Sequence, residues 1–456
     1  MSISYNALSG ALAAQAALNT VSQNIANSQT KGYTRQGVLL QAIASDAGVN
    51  SPGNGVQIGA LLRFSDSYKS QQMWRANSDL GQRSQVQPYL TQLEKVMADK
   101  TSSISYGVDN FFKALNAAAV DPTSTPLRQQ VITMADSMSQ QINSIYNLTS
   151  TQLISANQQR STLLPSLNES LAGIAALNQQ IIQVGSAGTN TSALIDQREQ
   201  LIDKVSSQVA VEVINNPDGS TSVSLKAGQP LVVGDMAATL KFSTVSGAQT
   251  LDLTFAGTTF KLDDTKVGGQ LGGLGDFIQN TLKPLQVSIA EIAQQMSAKV
   301  NAQLNAGQTA PGVPGNNLFV FNPASATGLL AVEPTLKAAD LAFSSDGTPG
   351  DSGNLQLLID IKSQPITLTS LGSVLLNDAD TQVVGKLAVD SQQNQSQLKT
   401  ATTIRQQAED DWKSTSAVNR DEEAINLIEY QNMYQANMKV ISVANNLFDA
   451  TLQMFN

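Results

Sequence analysis

MSISYNALSGALAAQAALNTVSQNIANSQT, residues 1–30, carries no charged side chain. Ile3, Ala7, Ala11, Ala14, Leu18, Val21 and Ile25 fall at steps of three and four, which predicts one apolar face of a helix. The other faces hold Gln15, Asn19, Ser22, Gln23 and Asn24, polar but uncharged, where a solvated helix normally carries Lys and Glu. An amide can be buried against another chain by pairing its hydrogen bonds, without the larger desolvation cost of a charge. The opposite end repeats the design. Leu427, Tyr434, Ile441, Phe448 and Phe455 recur every seven residues, flanked by Met433, Val440, Leu447 and Met454, and from Val440 onward the only charge is Asp449. Two uncharged, striped helices at the termini predict a protein whose ends are buried in an assembly.

At 456 residues the chain has room for two or three domains with cores of their own. Charged residues make up 14 %, against roughly 25 % in an average soluble protein. The net charge is −9, from 27 Lys and Arg against 36 Asp and Glu, with no basic run to attract nucleic acid. There is no Cys and no His, which removes disulfides, thiol and imidazole chemistry and the usual zinc sites. No cofactor or metal is expected. The start of the chain lacks the basic segment and long apolar run of a secretory signal peptide. No stretch approaches the roughly 18 apolar residues of a membrane-spanning helix, so no membrane insertion is expected.

Pro and Gly divide the chain. No Pro precedes Pro52 or follows Pro365, and no Gly follows Gly385, so the last seventy or so residues can be almost wholly helical. The first helix ends at Lys31-Gly32-Tyr33, followed by a Gly/Ser/Asn-rich loop over 44–55 and a short strand over 56–62. Helical patterns occupy 65–98, with Pro88 as a kink, 108–119, 126–184, with Pro165 as a kink or break, and 192–206. From Val209 to Phe260 apolar residues alternate with polar ones between turns such as Asn216-Pro217-Asp218-Gly219. The Gly268–Gly275 cluster, whose Gly268–Gly273 part reads as a flexible joint, leads into a helix over 277–304, and helices resume near Leu371. The expected fold is α+β and mainly α: a long helical bundle built from both chain ends with terminal coiled-coil helices, plus a nested β-rich outer domain. Its expected parts are an N-terminal assembly helix and turn (1–40), the first part of a helical domain (41–208) and a small antiparallel β domain (209–270). A returning helix (271–306), a mixed outer or irregular region (307–365), the second part of the helical domain (366–418) and a C-terminal assembly helix (419–456) complete it.

Two terminal segments carry more than periodicity. Asn24-Ile25-Ala26-Asn27-Ser28-Gln29-Thr30-Lys31-Gly32-Tyr33-Thr34-Arg35-Gln36 is locally a helix stop. It is also similar to the consensus near the N-terminus of bacterial flagellar axial proteins of the rod, hook and hook-associated group. Ser416-Ala417-Val418-Asn419-Arg420-Asp421-Glu422-Glu423 is locally a helix start, with Asn419 as N-cap and acids in the first turn. With Asn426-Leu427-Ile428, Gln431, Tyr434-Gln435-Ala436-Asn437 and Lys439-Val440-Ile441, it resembles the closing helix of hook-associated members of that family. Ala193–Ile202 and Gly272-Gly273-Leu274 resemble its helices on either side of the β portion. The resemblance covers roughly 1–306 and 370–456. Lys31, Ala417 and Arg420 depart from the Pro, Gly and apolar residue common at those places, and the chain is short for the family, as though an outer domain were missing.

The resemblance implies a structural, non-enzymatic protein of the hook–filament junction. It would be exported without a cleaved signal peptide to the extracellular flagellum and self-assemble through its paired terminal helices into a helical lattice of like subunits. The implied partners are the hook protein, a second junction protein and a flagellar export chaperone. The expected interface is Ile3, Ala7, Ala11, Ala14, Leu18, Val21, Asn24, Ile25, Asn27, Gly32, Tyr33, Leu427, Gln431, Tyr434, Asn437, Ile441, Phe448, Leu452 and Phe455. A different class is a carboxylate-based glycan hydrolase, for which Asp263-Asp264, Asp378 with Asp380, and Asp410-Asp411 offer paired acids. A third is an exported adhesin or effector using the outer β region.

Overall fold

A computed structural model describes residues 2–44, 53–245, 248–309, 311–325 and 328–454. Part of the expected loop at 44–55, and Phe455, lie outside them. The chain opens with α1 (Ser2–Ala26) and a hairpin of β1 (Gln36–Ala42) and β2 (Val56–Arg63). Four helices follow: α2 (Ser67–Met97), α3 (Ile104–Val120), α4 (Thr125–Ser186) and α5 (Ser192–Gln208). The β-rich portion has two antiparallel meanders. One holds β3 (Val211–Asn215), β4 (Thr221–Leu225), β5 (Pro230–Val233) and β6 (Met236–Ala237); the other holds β7 (Thr239–Val245), β8 (Ala248–Phe255) and β9 (Thr258–Leu262). Next come α6 (Gly269–Asp276), a π turn (Phe277–Leu282) and α7 (Lys283–Ala306). Small hairpins β10 (Phe319–Phe321) with β11 (Leu330–Val332), and β12 (Pro365–Leu368) with β13 (Gly372–Leu375), flank α8 (Gly353–Asp360). The chain closes with α9 (Leu376–Ser416) and α10 (Arg420–Gln453).

The axis of the molecule is α4, 62 residues and about 90 Å long at 1.5 Å per residue. It runs through Pro165 and α2 runs through Pro88, so neither proline breaks its helix. Buried Leu164 and Leu167 flank the first of these prolines, and packing on both sides keeps the helix continuous. Two apolar cores lie along α4. One joins Phe111, Phe112, Val131, Met138 and Ile142 to Phe277, Ile289 and Met296, and also takes in Phe319, Phe343 and Leu358. Residues 307–365, expected as an outer region, therefore contribute to the main core rather than projecting from it. The second core packs Leu167, Leu171 and Ile174 of α4 and Ile202 and Val205 of α5 against Val211, Val223, Leu231, Leu240, Leu251 and Leu253. The β-rich portion thus shares its interior with the helices.

Two further expectations change. Helices do not resume near Leu371: Pro365 and the alternation through Leu368 form the first strand of a hairpin whose turn places Gly372 at φ +77°, and α9 begins at Leu376. The Gly268–Gly275 cluster is a packed helix, not a flexible joint. A Cβ on Gly273 would lie 2.4 Å from the Gln82 carbonyl oxygen, and one on Gly81 2.2 Å from that of Ser207, so glycine lets α6 and α5 meet α2 backbone to backbone.

Opposite substitutions test this reading. Gly273→Ala must push two backbones apart and should destabilise by about 1–3 kcal/mol. Ala256, in the two-residue β8–β9 turn, has φ 47°, a left-handed conformation that costs a residue with a Cβ. Ala256→Gly should stabilise by about 1 kcal/mol. Chemical denaturation midpoints measure both.

Candidate assembly interface

The two chain ends pair. α1 and α10 pack along their length in opposite directions, Gly10 facing Asn437 and Asn24 bonding Glu423. The seam is made of small residues. Ala7, Gly10, Ala11, Ala13, Ala14, Ala17, Val21 and Asn24 are buried on α1, and a Cβ at Gly10 would lie 2.6 Å from Asn437 Oδ1. From α10, Met433, Tyr434, Asn437, Ile441 and Ala444 are half-buried.

Below this seam lies a polar joint that seals the end of α1. Asn24 Nδ2 donates to the Gln36 carbonyl oxygen (2.8 Å) and to Glu423 Oε2 (3.0 Å). Asn24 Oδ1 accepts from the Tyr33 hydroxyl (2.9 Å) and the Gln36 amide (3.0 Å). One buried amide thereby ties the helix end, the following turn and α10 together. Glu423 is 1 % exposed and is the buried residue of α10 among those described. Its charge is met by Arg35, whose Nε lies 2.8 Å from Oε1, while Arg35 Nη1 reaches Glu422 at 2.7 Å and its guanidinium stacks over Phe64. Burial, with the Asp196 and Glu423 carboxylates nearby, pushes the Tyr33 phenol up from 10.0 to about 12. Asn419 caps α10 by accepting from the Asp421 amide (3.1 Å), and Arg420 Nε donates to Ser28 Oγ (3.0 Å). That bond accommodates a charge where an apolar residue is usual. Gly32, at φ +76°, lets Gln200 Nε2 reach the Lys31 carbonyl oxygen at 2.8 Å.

The expected interface residues therefore separate into groups. Ala7, Ala11, Ala14, Val21, Asn24, Tyr434, Asn437 and Ile441 meet in the seam, with Leu18 half-buried beside it and Gly32 and Tyr33 at the joint. Asn27 serves its own helix end, donating to the Gln23 carbonyl oxygen and accepting from Thr30 Oγ1. Ile3, Ile25, Leu427, Gln431, Phe448 and Leu452 face outward. Two corrections follow. The buried stripe of α1 is its alanine and glycine face, while its bulky residues point away: Tyr5 is 62 % exposed and Leu12 56 %. The heptad of α10 does not stay seated either, because its last turns extend past the start of α1 and leave Phe448 63 % exposed. Glu423, Arg35, Arg63 and Asp196 are joint residues that the sequence pattern did not single out. Spacing has no signal for partners so far apart in the chain, and the buried charge could have been suspected only from the acids opening α10.

In each acid pair proposed for hydrolysis at least one member has a structural partner. Asp264 pairs with buried Arg160, Asp263 accepts from Thr265, Asp410 accepts from Gln406, and Asp380 accepts from the Ser105 amide and hydroxyl, with burial raising its pKa. Among the described residues no helix is long and apolar enough to cross a membrane.

Comparison with known proteins agrees with this architecture. Residues 90–319 match the flagellar hook-associated protein FlgK helical domain, residues 5–34 the flagella basal body rod protein family, and residues 414–454 the C-terminal family of flagellar basal body rod FlgEFG proteins. Flagellar hook-associated protein 1 of Salmonella typhimurium is 26 % identical over 98 % of this chain and 99 % of its own length; that of Bacillus subtilis is 25 % identical over 96 % and 95 %. The Salmonella alignment spans 547 positions against 456 residues here, so part of that protein has no counterpart. The structure of the flagellar hook junction protein FlgK from Burkholderia pseudomallei shares the fold, with a TM-score of 0.68 and 17 % identity, covering 75 % of this chain and all of its own. The chain belongs to the flagellar hook-associated protein FlgK family and is a structural protein of the bacterial flagellum, at the junction of hook and filament.

The joint has a pH signature. Because its folded pKa is raised, Tyr33 contributes stability that is whole below pH 10 and is lost as pH rises through about 12. In an ultraviolet titration of tyrosinate, Tyr33→Phe should remove a component near 12 and leave the rest unchanged.

Proposed function

We propose that the protein builds its part of the junction zone by self-assembly through the α1–α10 pair, with the body of the molecule facing outward. The observation that carries this reading is the inverted packing of the ends. Small residues fill the seam inside one subunit, while Ile3, Tyr5, Leu8 and Leu12 of α1, and Ile425, Ile428, Val443, Leu447, Phe448 and Leu452 of α10, stand exposed. At ~25 cal/mol per Å² such side chains supply more association energy than alanines. A row of them on both helices is the surface a lattice of like subunits covers. Ile3, Phe448 and Leu452 then contact neighbours, and Ala7, Ala11, Ala14, Asn24, Tyr434 and Asn437 hold each pair together.

The further partners are the hook protein on one side, a second junction protein on the other, and an export chaperone that shields the exposed face of α10 before assembly. Export proceeds through the flagellum's own channel, and the protein has no catalytic role. The engagement of Asp263, Asp264, Asp380 and Asp410 in local bonds supports that last point. Purified protein incubated with peptidoglycan should release no sugar fragments; turnover abolished by Asp380→Asn would establish the hydrolase instead.

Because Phe448 and Leu12 face outward, Phe448→Asp and Leu12→Asp should leave the thermal unfolding of the subunit within about 0.5 kcal/mol of the parent. In a lattice the same carboxylates are buried without a partner. In a strain whose only copy carries either change, hooks should form and filament protein should be shed into the medium. Filaments of normal number on such hooks would remove these residues from the interface.

A further inference from the structure

The terminal unit of α1, the β1–β2 hairpin and α10 meets the body, α2 to α9, without a shared apolar core. The residues of both cores, including the half-buried ones at their margins, run from Met73 to Leu387, with no described residue of the terminal unit among them. The hydrogen bonds that cross the boundary gather at the base of one hairpin, with the Gln200 bond to Lys31 at the neighbouring turn after α1. Arg35 and Arg63 stand side by side there: Gln36 pairs with Arg63 across the strands, and the Phe64 amide donates to the Arg35 carbonyl oxygen at 3.0 Å.

Arg63 grips the body. Its Nε and Nη2 donate to Asp196 Oδ1 at 2.9 and 2.8 Å, and Nη1 and Nη2 donate to the two oxygens of Glu199 at 3.0 and 2.7 Å. Nη2 also donates to Thr34 Oγ1 at 2.9 Å, and the Thr34 amide donates to Asp196 Oδ2 at 3.1 Å. Both acids belong to α5. Arg35 grips the other side: Glu422 and Glu423 of α10 by its side chain, and the Ser416 carbonyl oxygen, at the end of α9, by its amide at 2.8 Å. The hairpin base is therefore a clamp with two jaws, one closed on α5 and one on α10.

We propose that Arg35 and Arg63 are positioning residues that fix the direction in which the terminal helices leave the body. This rests on the reading that those helices are the assembly surface. An apolar core would hold the direction by area; here a few directional bonds hold it, and a planar guanidinium bonded to two carboxylates restricts rotation as a single ammonium contact does not. The lever is long. α10 extends about 50 Å from the clamp, so a small angular error at Arg63 displaces Phe448 by ångströms from its place in a lattice.

Arg63→Gln, Arg63→Lys, Arg35→Gln and the Arg35→Gln/Arg63→Gln pair test this in full-length protein, expressed in a strain lacking its own copy. Filament retention under graded shear is the readout, with the thermal transition of each purified variant as the folding control. Each single variant should keep the main transition, which the two cores of the body set and to which the terminal unit adds no core residue, yet lose filaments at a shear the parent withstands. Arg63→Lys should fail with Arg63→Gln, because the fork and not the charge is needed. Two jaws in series fail when either opens, so the double variant should shed no more filament than the worse single one. Parental retention in both Gln variants, full rescue by Lys, losses that add in the double variant, or losses that track a lowered transition would each overturn the proposal. If it fails while Phe448→Asp still sheds filaments, the clamp is wrong and the interface stands.

Discussion

A carboxylate that cannot reach water sets the geometry of the chain ends. Glu423 is buried in the polar joint, where Asn24 and Arg35 meet it. Removing one partner of such a buried charge costs about 3–5 kcal/mol, far more than any single contact in the alanine seam. The seam could slide by a turn at little expense, since one alanine replaces another. Glu423 cannot slide, because one turn away it has neither the amide nor the guanidinium. A single polar pair thus specifies the register of two helices that the rest of their sequence leaves nearly free, as an isolated polar residue does in a coiled coil. Tyr33 and the Gln36 amide complete the hydrogen bonding of Asn24, so the turn after α1 is held by the same register.

From this constraint follows a division of labour along the chain. The body carries two apolar cores in succession along a long axial helix, and neither takes a described residue from the ends. The ends need the body only for direction. On the α1 side the internal seam spends small residues on close approach, with Gly10 admitting Asn437, and the bulky Ile3, Tyr5, Leu8 and Leu12 stay outside. An ordinary amphipathic pair does the reverse, burying its leucines and exposing its charges. The inversion fits the proposal that the unit that buries apolar area is the lattice rather than the subunit.

Part of this was legible in residues 1–30 and 427–454, where absent or sparse charge and helical spacing predicted two terminal helices that pair. Which face turns inward was not. In α1 the alanines and the larger apolar residues both recur with helical spacing, so periodicity admits more than one inner face; only the approach of Gly10 to Asn437 decides between them. The change from helix to strand near Val209 was visible in alternation, whereas the sharing of one core by α4, α5 and the β strands depends on packing between distant segments. The glycines of 268–275 misled for a similar reason. Glycine signals conformational freedom and close backbone approach with the same letter, and the contact with Gln82 identifies the second. Arg35, Arg63, Asp196 and Glu423 lie too far apart in sequence for any spacing rule to pair them.

The distribution of charge bears on how such subunits could associate. Within residues 1–40 the charges are Lys31 and Arg35, both at or beside the joint, and three acids of α10, Asp421, Glu422 and Glu423, gather at its first turn, where Arg35 and the helix dipole meet them, with Glu429, Lys439 and Asp449 spread along the rest. The net charge of −9 therefore falls mainly on the body. Like-charged bodies repel, but at physiological salt that repulsion fades over about 8 Å, while a sparsely charged end approaching another meets little of it. Repulsion then works against contact between bodies and leaves contact between ends unopposed. Exposed apolar side chains on sparsely charged helices would otherwise invite adhesion in any orientation; with most of the charge on the body, the orientations that bring the ends together are the ones least resisted.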